Sequence, residues 1–353
     1  MVAKPSPEKL QQVFGTVLDL CALTADEKIA VLSEGDLLQD YSEAFLQAAA
    51  ARGAQTARVN VASSANAGAE ARLANLDGSA LREDRAAMAT LLEADLVIDL
   101  MLLLFSHEQL QIQAAGARML MVVEPFDVLT RLMPSPDLRT RVEAAERRLA
   151  AARTLRFVND AGTDVVYELE QLTGPPPACI LTEYGYTDTP GRWDHWPSGF
   201  LASTGTATGV EGRVVMDAGD IVLPWKETLS APITFTIRDG YVTSLDGGTD
   251  AQRLRAYIES FEDPRAWAVS HIGWGLNRDA QWLTAVDGIG MDSRAYYGNV
   301  LFSTGPNTEF GGNNDTACHL DLPMRNCSLW LDEELIVDHG DIVPDDMRTA
   351  TGG

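Results

Sequence analysis

Apolar residues along the first 160 or so positions fall into short runs separated by helix-like stretches. Lys28 to Leu32 reads as a buried strand, and the Ala-rich segment from Tyr41 to Ala51 as the helix that follows it, ended by Gly53. Ala57 to Val61, Leu96 to Leu102 and Met119 to Val123 predict further strands, and Arg139 to Ala152 a long amphipathic helix. Strand-helix alternation of this kind predicts a mostly parallel sheet covered on both faces. None of these helices opens on G-x-G-x-x-G or G-x-x-x-x-G-K-[ST], so nucleotide binding has no support.

From about Thr154 the pattern changes to short alternating runs rich in glycine, proline and tryptophan. Thr234 to Arg238, the pair Asp239-Gly240 and then Tyr241 onward predict a tight hairpin, because Asp-Gly suits a two-residue turn. One clear helix is predicted from Asp250 to Phe261, and the residues after about Asp345 are expected to fray. The fold class expected is α/β, with two domains. A mostly parallel α/β domain spans 1–160, and a strand-rich α+β domain, which holds four of the five histidines, spans 161–353.

Composition narrows the partners. The chain has 353 residues, 46% apolar and 22% charged, with 27 basic against 51 acidic side chains and a formal charge of −24. Such an acidic surface repels phosphate backbones and anionic lipid, so no nucleic-acid or membrane partner is expected. The four cysteines show no C-x-x-C spacing and read as reduced thiols. The N-terminal run MVAKPSPEKLQQ lacks the apolar core of a signal peptide, and Leu96 to Phe105 is too short to span a bilayer. A cytoplasmic location is expected.

The candidate chemistry lies in two histidine sites of the second half. His319 and Asp321, in the run CHLDLPM, stand two apart and on a strand share one face, offering an imidazole and a carboxylate to one ion. His271, in AVSHIGWG, is the candidate third ligand. Two histidines and one carboxylate form the ligand set of non-haem Fe(II) oxygenases, which leaves open positions on the metal. A lone histidine in an apolar strand is equally the pattern of a satisfied core residue, so spacing alone leaves both readings open.

The surrounding motifs add a resemblance. The second half resembles the thermophilic (leucyl aminopeptidase-like) aminopeptidase family with its ligands rewritten. Where that family has N-x-P-x-G-E, this chain has His195-Trp-Pro-Ser-Gly-Phe200. Where it has A-E-x-G-x-G, Ser270-His271-Ile-Gly-Trp-Gly275 stands, and where it has G-T-x-H-x-x-x-G, Gly298 to Gly305 puts Leu301 at the histidine. The terminal H-x-D is kept as His319 and Asp321. A bridged pair of metal ions needs several carboxylates, so this pattern implies a single ion rather than a peptidase site. The departure resembles the 2,5-dihydroxypyridine 5,6-dioxygenase family, over most of the chain. That resemblance implies Fe(2+) held by His271, His319 and Asp321. It also implies 2,5-dihydroxypyridine and O2 as substrates, opened between C5 and C6 to N-formylmaleamate in nicotinate and pyridine catabolism.

Against this background two histidines are candidate catalytic bases, histidine being matched to neutral pH. His107 follows an apolar run, where open α/β sheets place ligand contacts; the alternative is a residue opening a helix capped by Ser106. His195 sits between Trp193 and Trp196, a setting that suits an aromatic substrate or, alternatively, a packed loop. Glu183 is a candidate hydrogen-bond partner for substrate or for a ligand imidazole. Phe200 and Leu301 would make the pocket apolar, and Ser303 would supply a polar contact. Two-domain relatives associate through the second domain, so a homo-oligomer is expected. Two other readings remain: an aminopeptidase-type hydrolase with an altered metal site, and a non-catalytic binding relative.

Overall fold

In the computed structural model, which describes residues 4–64, 67–68, 80–104, 106–169, 180–283 and 288–348, the chain opens with helix α1 (Pro7–Leu20). Ser6 caps it by accepting from the Lys9 N–H, and Pro7 begins it with a residue that has no N–H to lose. Strands β1 (Lys28–Glu34), β2 (Gln55–Val61), β3 (Leu96–Asp99) and β4 (Arg118–Met121) then alternate with α2 (Gln39–Ala50), α3 (Arg85–Leu92) and α4 (His107–Ala114). The apolar run after Leu96 leaves the strand at Asp99 for a local reason. The Asp99 carboxylate accepts from the Met101 and Leu103 N–H groups, each at 2.7 Å, and folds the chain into a turn. After α5 (Phe126–Arg131) and α6 (Pro136–Ala151) the strand-rich portion begins.

That portion runs through β5 (Thr154–Val158), β6 (Asp164–Leu169), β7 (Ile180–Glu183), β8 (Trp193–His195) and the 17-residue β9 (Phe200–Met216). The short pair β10 (Ile221–Val222) and β11 (Glu227–Thr228) precedes the hairpin of β12 (Ile233–Arg238) and β13 (Tyr241–Gly247). Its turn is Asp239-Gly240, both with positive φ (49° and 74°), as a two-residue hairpin turn requires. Helix α7 (Thr249–Glu259), β14 (Val269–Gly275), α8 (Met291–Ala295), β15 (Val300–Thr304), β16 (Leu320–Met324), β17 (Ser328–Leu331), β18 (Glu334–Asp338) and β19 (Asp341–Ile342) follow. Residues 345–348 are tied in rather than frayed, with Met347 fully buried and Arg148 paired with Asp346 at 2.9 Å; the expectation for 349–353 lies outside the described residues.

Two compact units result. The first comprises Met1–Ser135, Tyr184–Pro197 and Asp287–Ile289. Its sheet is parallel, in the order β2-β1-β3-β4-β8. Every residue of β3 and β4 is buried, the near-continuous apolar pattern of strands covered on both faces. Phe14 stacks on Phe45 at 4.1 Å, and Trp196 meets Phe14 edge-on while donating its indole N–H to the Leu132 carbonyl at 3.1 Å. The second unit comprises Pro136–Glu183, Ser198–Val286 and Gly290–Gly353. Its large sheet is antiparallel, and one stretch of it, β7-β9-β14-β15-β16, carries the residues of interest.

Candidate metal centre

Strand register decides which side chains meet. Asp321 pairs with Ser303, Leu301 with Gly273, His271 with Thr204, and Phe200 with both Gly275 and Glu183. Because successive side chains alternate, Glu183, Phe200, His271, Leu301, Ser303 and Asp321 share one face of the sheet, and His319, two before Asp321, joins them. The pairing of β14 with β15 slips between Val269 and Ile272. There the Ser303 hydroxyl accepts from the His271 N–H at 2.8 Å and donates to the His271 carbonyl at 2.9 Å, taking the place of the lost ladder bonds. Gly273 completes the arrangement. A Cβ there would lie 2.6 Å from the Phe200 ring and 2.1 Å from the Leu201 carbonyl oxygen, so only glycine lets Phe200 lie across β14.

His271 Nε2 and His319 Nε2 are 3.3 Å apart, and each lies 3.2 Å from Asp321 Oδ1. Three donors with nearly equal spacing of this size fit one ion, since bonds of about 2.0–2.2 Å set at right-angled to tetrahedral angles separate ligand atoms by roughly 2.8–3.6 Å. Among the described residues, this is a group of His, Cys, Asp or Glu able to hold a metal, and all three members are buried. The second oxygen of Asp321 is taken: Arg294, on α8, donates to Oδ2 through Nε at 2.6 Å.

The charge states suit ligation. Burial holds His271 below the usual imidazole range, outweighing the pull of Asp321, so it is neutral near pH 7. Burial alone would raise Asp321, but His319, Arg294 and hydrogen bonding from the two histidines hold its carboxyl well below the usual carboxylate range. A neutral imidazole and an ionised carboxylate are the forms that bind a metal without first shedding a proton.

The remaining candidates are placed as follows. Phe200 meets the His271 ring edge-on at 6.5 Å, and Leu301 is fully buried on the same face. Glu183 is buried and accepts from the Ser198 hydroxyl at 2.7 Å. Trp193, His195 and His107 belong to the first unit. Trp193 and His195 are buried in β8, and His107 is an exposed first residue of α4, whose cap is Ser106. His195 ends β8 and His107 follows β3, so both stand at the carboxyl end of the parallel sheet, with β4 between the two strands. Two residues at the centre carried no sequence signal. Arg294 lies in the unremarkable run MDSRA, and Phe310, whose ring lies 5.4 Å from that of His271, follows a polar loop.

Comparison with known proteins gives a consistent picture. The family model described as 2,5-dihydroxypyridine 5,6-dioxygenase matches residues 9–344. A protein of that name from Pseudomonas putida KT2440 is 43% identical over 357 residues, covering 97% of this chain and 99% of its own. A solved structure of the 2,5-dihydroxypyridine dioxygenase from the same organism superposes with a TM-score of 0.91 at 42% identity, covering 98% of this chain and all of that one. The fold alone is shared with the thermophilic aminopeptidase AmpT of Thermus thermophilus, at a TM-score of 0.57 and 11% identity over 95% of this chain and all of that one. With a near full-length family match and a relative well above 30% identity, the chain belongs to the 2,5-dihydroxypyridine 5,6-dioxygenase family.

Proposed function

We propose that this protein is an Fe(II)-dependent dioxygenase that opens 2,5-dihydroxypyridine between C5 and C6 to N-formylmaleamate, in the catabolism of nicotinate-type pyridines. The observation that carries the proposal is the triangle of His271 Nε2, His319 Nε2 and Asp321 Oδ1, with sides of 3.2–3.3 Å, in a chain of this family. Two imidazoles and one carboxylate are the donor set of oxygen-using Fe(II) sites. When bound there, iron supplies the one-electron chemistry that lets O2 react with a closed-shell ring.

The protein's own residues do the rest. His271, His319 and Asp321 hold the ion by one atom each. Phe200 and Leu301 give the face an apolar wall that suits a flat neutral ring and excludes water. Ser303 fixes His271 through its backbone, and Glu183 is proposed as a polar contact for the ring. In the reaction the C5–C6 bond breaks and each carbon gains one oxygen atom of O2. C5 becomes the carboxyl carbon and C6 the N-formyl carbon, so the substrate formula gains two oxygens and loses nothing. The proton of the 5-hydroxyl must leave during attack and is returned to solvent or to the product carboxyl. His107 and His195 are the proposed carriers, on residue type and on their position at the strand ends of the first unit. Trp193 is proposed as an aromatic neighbour of the substrate.

No described helix is long and apolar enough to cross a membrane, and Cys21, Cys318 and Cys327 are free thiols. We propose a cytoplasmic location from the free thiols, a homo-oligomer from the aminopeptidase resemblance, and no nucleic-acid or lipid partner from the formal charge of −24. The test is anaerobic loading with Fe²⁺ followed by O2 uptake with 2,5-dihydroxypyridine. Uptake of one O2 per ring, with both atoms of labelled O2 in the product, is expected. Absence of uptake, or one labelled atom only, rejects the reading.

A further inference from the structure

Arg294 donates to the proposed ligand carboxylate of Asp321, and its placement has a chemical consequence. The side chain is 8% exposed, and its Nε donates to Asp321 Oδ2 at 2.6 Å, while Oδ1 faces the two imidazole nitrogens at 3.2 Å. The two carboxylate oxygens therefore have divided tasks. Helix α8, which carries Arg294, is tied down by Asn299, the residue before β15: its side-chain amide donates to the Ser293 and Arg294 carbonyls at 2.6 and 3.0 Å. Asn299 Oδ1 also accepts from the Gly275 N–H at 2.7 Å, linking the helix to the end of the strand that bears His271. The guanidinium is thus built into the sheet face, and a buried arginine is held there only by a matched acceptor.

Resting on the reading of the triad as a metal site, we propose that Arg294 is a positioning residue that keeps Asp321 a one-oxygen ligand. A free carboxylate beside a divalent ion can chelate with both oxygens, which adds a donor and occupies a coordination position. Arg294 holds Oδ2 away from the ion, and its positive charge offsets that of the carboxylate. Both effects weaken metal binding. Both also leave the ion more open and the site more positive, which favours a phenolate-like substrate oxygen and O2. Arg294 trades metal affinity for open positions.

The sign of one measurement separates this from a merely structural role. Purified wild type, Arg294→Met, Arg294→Gln and Arg294→Lys are titrated with Co²⁺ against a competing chelator, and the visible Co²⁺ absorption is recorded. Loss of the neighbouring cation and release of Oδ2 are expected to tighten Co²⁺ binding in the Met and Gln variants by about tenfold or more. Their Co²⁺ band should also change in position and intensity. Arg294→Lys, which keeps a cation and a donor, stays within about threefold of wild type. A structural role predicts weaker binding and an unchanged band. Weaker or equal Co²⁺ binding in the Gln variant, or an unchanged band, overturns the inference, and Arg294→Gln decides the matter if Arg294→Met does not fold. Should wild type itself fail to bind Co²⁺, the metal reading falls with it, so the two failures are distinguishable.

Discussion

Ser303→Ala tests how the strand irregularity at His271 is held. The hydroxyl is fully buried and serves both backbone groups of His271, accepting at 2.8 Å and donating at 2.9 Å. Alanine fills nearly the same volume, so the packing term is small and the lost hydrogen bonds dominate. A buried backbone group left without a partner costs about 1–3 kcal/mol, so two of them cost roughly 2–6 kcal/mol before the strands relax. About 3 kcal/mol is expected once β14 and β15 have shifted. The chain holds two units, so a single global midpoint mixes their transitions. Hydrogen exchange of the His271 amide is the sharper assay. A loss of about 3 kcal/mol should speed its exchange by roughly 100-fold or more wherever local opening governs it. Urea unfolding of the strand-rich unit should shift in the same direction. Exchange within a factor of about three of wild type, with an unmoved urea midpoint, would show that the β14–β15 irregularity holds without the hydroxyl.

Three further outcomes follow from particular contacts. His319→Ala removes one corner of the donor triangle and should weaken Zn²⁺ or Fe²⁺ binding by at least about 100-fold in a chelator competition; binding near the wild-type level removes His319 from the ligand set. Gly273→Ala drives a methyl to within 2.6 Å of the Phe200 ring and 2.1 Å of the Leu201 carbonyl oxygen, and should cost about 2 kcal/mol or more in urea unfolding; an unchanged midpoint means that β9 gives way freely. Burial pushes the Asp220 carboxyl up to about 6 from its ordinary value of 3.8, so its ionised form is disfavoured in the fold. Stability from this group is complete below pH 3.8 and is lost as pH rises through about 6, on the order of 3 kcal/mol in all. Asp220→Asn should flatten stability between pH 4 and 7, read by urea midpoints across that range; a slope equal to wild type refutes the assignment.

What could be read from the sequence depended on how local the signal was. His319 and Asp321 are two apart, and the strand period of two puts them on one face whatever the partner strands do. The Asp239-Gly240 turn is equally local, since the pair itself supplies both positive φ values. The first unit shows the limit. Trp193 to His195 adds a fifth parallel strand beside β4, and its three buried residues include Asp194 and His195. No apolar run marks it. Asp194 is tolerated there because it accepts from the Tyr184, Gly185 and His195 N–H groups and from Arg192. Those partners are nearby in sequence, but their meaning depends on a long-range pairing that periodicity does not carry. His271 is a candidate ligand on residue type alone, and the aminopeptidase resemblance is needed to favour it, because its apolar strand reads alike for a ligand and for a core residue. Arg294 had no signal at all, since its role exists only where α8 meets the strand of Asp321.

On the proposed reading, the same contacts favour one ion over two. A second divalent cation beside the first needs anionic oxygens to offset the added charge. Phe200 and Leu301 lie on the face of the triad and carry no donor atom. Glu183 shares that face but lies outside the group whose ligand atoms fall within 4.8 Å of one another, and its Oε2 accepts from Ser198. Asp321 Oδ2, the remaining oxygen at the triad itself, is held by Arg294. A positive guanidinium therefore stands at the place where a bridging carboxylate would have to reach a second metal. Substitution of Phe200 or Leu301 alone by glutamate would leave that cation in place, so building a two-metal site here would require Arg294 to change as well.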